Sequence, residues 1–230
     1  MISFSFRALF SRLYQQTRLW ASVFWSYPLF LDRYFLPRER SEHYNRQFWR
    51  TVFDAVYIAY HYEGDLVKII HDFKYSGQRH IIQSFFPGID HIISQYLVNH
   101  KNEDILLSYV PFGWYQIFTR PYNHSRLIAE YVSHKIVSSW GKPLKLKNLL
   151  LKKKITEHQA HLSKEGRIMN TCDAFVLAPW VNPNTIKGRT VCLIDDVISS
   201  GSTLQSIADI FRLHWVEKVI VIALASTWIS

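Results

Sequence analysis

The chain has 230 residues, enough for one α/β domain plus an extension, and is 48% hydrophobic and 20% charged, the balance of a globular protein with a real core. Its net charge of +9 suits a polyanion or an anionic substrate, or else describes a basic solvated surface. The two cysteines, Cys172 and Cys192, are too few for a disulfide framework or a four-cysteine zinc site, and no uncharged run reaches transmembrane length. With no secretory signal and cleavage site in view, a cytoplasmic location is expected.

Residues 1–35 carry Phe6, Leu9, Phe10, Leu13, Thr17, Trp20, Ala21 and Phe24 at helical spacing, with Arg7, Arg12 and Arg18 off the stripe. Such a stripe packs on its own domain, or it lies on a membrane surface or docks a partner. Pro28 and Pro37 mark a break, and a second helix is expected over 42–53. Residues 1–55 thus read as a helical, aromatic-rich extension, and 56–230 as the main domain.

A strand is expected over 56–62. The helix after it opens at Glu63-Gly64, with Leu66, Val67, Ile69, Ile70 and Phe73 on one face, and closes at Lys74-Tyr75-Ser76-Gly77, where Gly77 suits a left-handed cap. Lys74 there complements the helix dipole, whatever else it does. Residues 78–98 predict a helical stretch broken at Pro87-Gly88. A buried strand over 104–110 is stopped by Pro111, and an aromatic, basic loop covers 112–123. Asn123 then caps a helix over 125–140. A short strand over 144–151 leads to a basic, mobile loop over 152–167. His158 and His161 in that loop lack a carboxylate at metal spacing and read as solvated. A strand over 174–177, a turn-rich connection over 179–187 and a last strand over 218–225 complete the series. Strands alternating with helices predict an α/β fold with a mostly parallel sheet flanked by helices.

The segment most informative about chemistry is Thr190 to Leu204. Val191 to Ile194 is an apolar run suited to a strand covered on both faces. Asp195 and Asp196 follow where ligands of open α/β sheets bind. Ser199, Ser200, Gly201, Ser202 and Thr203 then form a hydroxyl-rich loop before a helix, whose free N–H groups and positive end suit a phosphate. No Lys follows a Gly, so this is not a Walker loop, and a single Gly excludes the dinucleotide fingerprint. Carboxylates beside a phosphate cradle suit ribose hydroxyls.

This segment resembles the phosphoribosyl-pyrophosphate (PRPP) motif of type I phosphoribosyltransferases. Further stretches resemble one branch of that superfamily, the ComF family of competence-associated proteins. They are Lys74-Tyr75-Ser76-Gly77, Val110-Pro111 with Arg120-Pro121-Tyr122-Asn123, and Thr156, Gln159, Leu162, Arg167 and Asn170 before Ala174-Phe175. The likeness spans about residues 57–225. Two departures are visible: the four-cysteine zinc segment of many members is missing, and Pro121 stands where the family has glycine, stiffening that turn.

The resemblance implies a type I phosphoribosyltransferase-like fold and transfer of a 5-phosphoribosyl group from PRPP to an unidentified acceptor, with pyrophosphate released. It implies that Asp195 and Asp196 hold the ribose hydroxyls and help orient Mg²⁺, and that residues 199–203 hold the 5′-phosphate. Pro111, Phe112, Arg120 and Lys74 are its candidates for pyrophosphate, and Thr156, Gln159 and Arg167 belong to a closing loop. The alternative is a non-catalytic competence factor or nucleotide sensor that keeps the fold and binds PRPP or single-stranded DNA. A second copy of the chain is a further partner considered.

Overall fold

The computed structural model describes residues 52–97, 100, 103–141, 143–153 and 175–227. The helix expected within 1–35, most of the one expected over 42–53, and all but the first two residues of the loop expected over 152–167, with Thr156, Gln159, Arg167, His158 and His161, lie outside the described residues, as does Cys172.

Five strands form one wholly parallel sheet in the order β1-β7-β6-β2-β3. They are β1 (Ala55–His61), β2 (Ile105–Tyr109), β3 (Lys145–Leu146), β6 (Thr190–Ile198) and β7 (Lys218–Ser226). Two shorter strands, β4 (Leu150–Lys152) and β5 (Phe175–Leu177), pair antiparallel in a separate ribbon. The expected strand over 144–151 is therefore two strands belonging to two sheets. The helices are α1 (Gly64–Tyr75), α2 (Phe86–Ile92), α3 (Trp114–Thr119), α4 (His124–Lys135), α5 (Val137–Trp140) and α6 (Ser202–Leu213).

Alternation along the central strands sends side chains to two cores, because successive residues of a strand face opposite ways. Leu107, Cys192, Ile194, Ile220 and Ile222 meet α1, α2 and α4 through Leu66, Ile70, Phe73, Ile89, Ile128 and Val132. Leu106, Val191, Leu193, Val219 and Val221 meet α6 through Leu204, Ile207, Ala208 and Phe211, and meet the β4–β5 ribbon through Leu150 and Phe175. Burial on both faces explains why β6 and β7 read as continuous apolar runs. Cys192 is fully buried, and burial pushes its thiol up to about 12, so it is inert packing.

Three boundaries differ from expectation. The 78–98 stretch is a 3₁₀ turn over Arg79–Phe85, then α2, then a π-helical turn over Ile93–Leu97. The break falls at Phe85, and Pro87 sits in the first turn of α2, where its missing N–H has no partner to lose. The 112–123 loop contains α3, started by the Gly113 N–H donating to Gln116 Oε1 at 2.7 Å and the Gln116 N–H to the Gly113 carbonyl at 2.9 Å. The helix expected over 125–140 ends at Lys135 and resumes at Val137, closing at Gly141 in the left-handed region (φ 72°).

Candidate functional site

The site is built on β6. Its pairing with β7 continues to Ile198, opposite Ser226, but its pairing with β2 stops at Ile194, opposite Tyr109. After the Val110 N–H donates to the Ile194 carbonyl (3.0 Å), β2 turns away at Pro111. One edge of β6 is thereby left open from Asp195 onward. The acids thus lie inside the strand rather than beyond it, at the point where its neighbour departs. A cleft of about 230 Å³ fills that opening.

The lining comes from five separate segments. Lys74 enters from the last turn of α1, and Val110, Pro111, Phe112, Gln116 and Arg120 from the segment after β2. Ser125 comes from α4, Lys152 from β4, and Asp195, Asp196, Val197, Ser199 and Thr203 from β6 and the loop after it. Of the expected residues, Lys74, Pro111, Phe112, Arg120, Asp195, Asp196, Ser199 and Thr203 line one cleft. Ser200, Gly201 and Ser202 complete the turn beside it without lining it.

The loop after β6 turns through a left-handed glycine into α6. Gly201 is in the left-handed region (φ 71°), a conformation that costs glycine nothing, and its carbonyl accepts the first bond of α6 from the Gln205 N–H. No side chain caps α6, and Ser200 and Ser202 pair hydroxyl to hydroxyl at 2.8 Å. The start of α6 therefore presents backbone N–H groups and hydroxyls with no carboxylate among them.

The two acids differ in their surroundings. Asp196 Oδ2 lies 3.1 Å from Lys74 Nζ and 3.7 Å from Arg120 Nη1, all three side chains largely buried. Arg120 is held by Tyr75, whose hydroxyl accepts from Nη2 at 3.3 Å and whose ring lies 5.3 Å from the guanidinium carbon. Asp195 is 8% exposed, and its Oδ1 accepts from the Asp196 N–H (2.8 Å) and Ser125 Oγ (3.2 Å). Burial, then repulsion from Asp196, raise its carboxyl to about 7, against the weaker pull of the Asp196 N–H, Lys74 and Ser125.

His124, the first residue of α4, is fully buried behind the site. Its Nε2–H donates to the Phe73 carbonyl at 2.9 Å, and its ring packs on Phe73 and Tyr122. Burial lowers its pKa to about 4, so it is neutral at physiological pH. Asn123 caps α4 as expected, accepting from the Arg126 N–H at 2.9 Å, and its Nδ2 also donates to the Val110 carbonyl at 3.1 Å. One residue thus ties the start of α4 to the point where β2 leaves β6.

Ser125, Gln116 and Lys152 were not singled out from the sequence as site residues. Ser125 follows a cap residue and Gln116 sits in an aromatic loop, so neither carries a local signal. Lys152 opens the basic stretch expected as a mobile loop over 152–167, yet the structure places it at the end of β4, where pairing with Phe175 fixes it.

Among the described residues no group of three or more His, Cys, Asp or Glu side chains is placed to hold a metal ion. Asp195 and Asp196 are nonetheless hard oxygen donors of the kind Mg²⁺ takes together with ligand oxygens and water. They fit an ion that arrives with an anionic ligand, not one held by the protein alone. No helix among the described residues is long and apolar enough to cross a membrane.

No family model matches the chain. Among solved structures, a purine phosphoribosyltransferase from Pyrococcus horikoshii is similar at 14% identity and a TM-score of 0.33, over 60% of this chain and 82% of that one, a superposition too loose to carry the assignment. Among curated proteins, Competence protein F of Haemophilus influenzae is 30% identical over 174 residues, 75% of this chain and 72% of that protein. That span includes most of the described domain, and with the β6 acids, the loop after them and the Lys74-to-Gly77 element in place, the chain belongs to the ComF family of competence proteins.

Proposed function

We propose that the protein binds the ribose 5-phosphate portion of PRPP and transfers the phosphoribosyl group to an acceptor, releasing pyrophosphate. The observation that carries this reading is the single cleft in which two adjacent carboxylates, two cations and a phosphate-type loop converge. The loop of residues 199–203 takes the 5′-phosphate on its N–H groups and hydroxyls. Asp195 and Asp196 accept hydrogen bonds from the ribose 2′- and 3′-hydroxyls. Lys74 and Arg120, already paired with Asp196, turn to the pyrophosphate, so the entering anion exchanges one set of ion pairs for another. Mg²⁺, brought by the donor and contacted by the two acids, would supply charge neutralisation on the pyrophosphate. The protein's own contribution is positioning and electrostatic stabilisation of charge at the anomeric carbon.

Thermal unfolding tests this reading. PRPP with Mg²⁺, at about a hundred times its dissociation constant, is expected to add about 2.7 kcal/mol to the stability of the folded state and raise Tm accordingly. Asp195→Asn with Asp196→Asn is expected to remove that increment relative to the variant's own ligand-free Tm. No increment in the parent protein with PRPP or with ribose 5-phosphate would sink the binding assignment. Pyrophosphate release across bases and amines then separates an enzyme from a sensor.

A second reading, a DNA-handling factor that keeps the fold without transfer, is favoured by the exposed rings of Phe118, Trp180 and Trp215 on a chain of net charge +9. Binding to single strands that weakens steeply with salt, and more so after neutralising Lys152 to Lys154, is its signature.

A further inference from the structure

Lys152 is the one cation of the cleft that the reading above leaves without an anion. It extends from β4, its stem against Gly113, where an added Cβ would come within 3.1 Å of the lysine Cδ. Its ammonium lies 5.3 Å from the centre of the Phe175 ring, a contact that orients the charge without neutralising it. Among the described residues no carboxylate forms an ion pair with it. The acid whose field reaches it is Asp195, whose Oδ1 already accepts from Ser125 Oγ and the Asp196 N–H. A cation partly removed from water is costly unless something of opposite charge completes it.

Charge matching says what that is. Pyrophosphate with one Mg²⁺ keeps a net charge of about −1 to −2 near neutrality, which the two positive charges of Lys74 and Arg120 can match at the position it would take. A single positive charge then remains at Lys152. Beside it stands Gln116, whose Oε1 is occupied by the Gly113 N–H, leaving its amide N–H₂ as a donor toward the cleft. An ammonium and an amide donor together suit a carboxylate, and Phe112 on the same wall suits a planar ring.

We propose that Lys152, with Gln116, selects an acceptor that carries a carboxylate: a small planar nitrogen nucleophile with one negative charge. This rests on the phosphoribosyl-transfer reading of the cleft. In the step it serves, the acceptor nitrogen's lone pair forms a bond to the anomeric carbon. The bond from that carbon to the pyrophosphate oxygen breaks, with its electron pair leaving on pyrophosphate, and the proton of the attacking nitrogen passes to solvent.

The test uses the full chain saturated with Mg²⁺ and pyrophosphate, so that Lys74 and Arg120 are engaged. Calorimetry then compares charge-matched pairs, orotate with uracil and nicotinate with nicotinamide. The parent protein is expected to bind one carboxylated member at least about tenfold more tightly than its neutral partner, the ratio for one charge-assisted contact. Lys152→Met is expected to erase that preference while holding pyrophosphate affinity within about twofold, and Lys152→Arg to restore it. Intact pyrophosphate binding with no carboxylate preference, or with no binding of either member of a pair, overturns this proposal alone. A tenfold loss of pyrophosphate affinity in Lys152→Met also overturns it, by assigning the lysine to the donor. Absence of both PRPP and pyrophosphate binding in the parent protein overturns the transfer reading and this proposal with it.

Discussion

Asp195→Asn should make the ligand-free, metal-free protein more stable while destroying its site. The carboxyl is buried and beside Asp196, and its pKa rises from 3.8 to about 7. Between those values the folded state holds a proton that the unfolded state has released, so stability falls as pH rises from about 4 to about 7 and then levels off. At about 1.4 kcal/mol per pH unit, the whole interval corresponds to about 4 kcal/mol. Asparagine keeps an oxygen to accept from the Asp196 N–H and Ser125 Oγ, and it removes the charge. Part of that 4 kcal/mol returns as the cost of housing an amide N–H₂, so the expected gain at pH 8 is about 2 to 4 kcal/mol. For a chain of this size that is roughly 5 to 12 °C in Tm. Urea unfolding of parent and variant at intervals from pH 4.5 to 8.5 measures it, and taking the difference between the two cancels the titrating groups that do not interact with Asp195. The gap should be widest at pH 8 and close toward pH 4.5. A variant less stable than the parent at pH 8, or a gap that does not narrow on acidification, would refute the assignment of strain to this carboxyl.

Two further predictions concern the support of the site. His124 is neutral and buried, and its folded pKa of about 4 lies below the ordinary 6.5, so the unfolded chain takes up a proton first and stability is lost as pH falls from 6.5 toward 4. That loss amounts to about 3 kcal/mol; His124→Gln, which keeps a donor for the Phe73 carbonyl, should flatten it in the same urea series. Gly88→Ala should cost about 3 kcal/mol, because its Cβ would lie 2.5 Å from Cε2 and Cζ of the fully buried Tyr60, whose hydroxyl also accepts from the Gly88 N–H at 2.9 Å. Thermal unfolding measures that cost, and an unchanged Tm would mean that β1 and α2 are not packed as described.

Departures between expectation and structure cluster where local pattern and tertiary context compete. Pro87 looks like a breaker, yet it opens a helix, because the first turn of a helix has no intrahelical use for that N–H. Residues 144–151 look like one strand because the alternating Leu144 and Leu146 lead into the apolar run Leu149 to Leu151, yet Lys145–Leu146 extends the main sheet beside β2 while Leu150–Lys152 pairs with β5. Periodicity cannot tell which partner a short apolar run will find.

The element over Thr190 to Thr203 was legible because everything it does is contiguous. Its strand, its two acids and the glycine turn before α6 are set by hydrogen bonds and conformational preferences a few residues long. The α1 closure at Gly77 and the Asn123 cap were legible for the same reason. What surrounds the acids was decided only by the fold. Lys74, Arg120, Ser125 and Lys152 lie 43 or more positions from Asp195 in the chain, and no local pattern links them to it. They converge because β2 leaves β6 at Ile194, while α1, α4 and the β4–β5 ribbon close around the edge that departure exposes. The same convergence places two cations on Asp196 and leaves burial and repulsion to raise the pKa of Asp195, so adjacent and chemically identical residues acquire different surroundings.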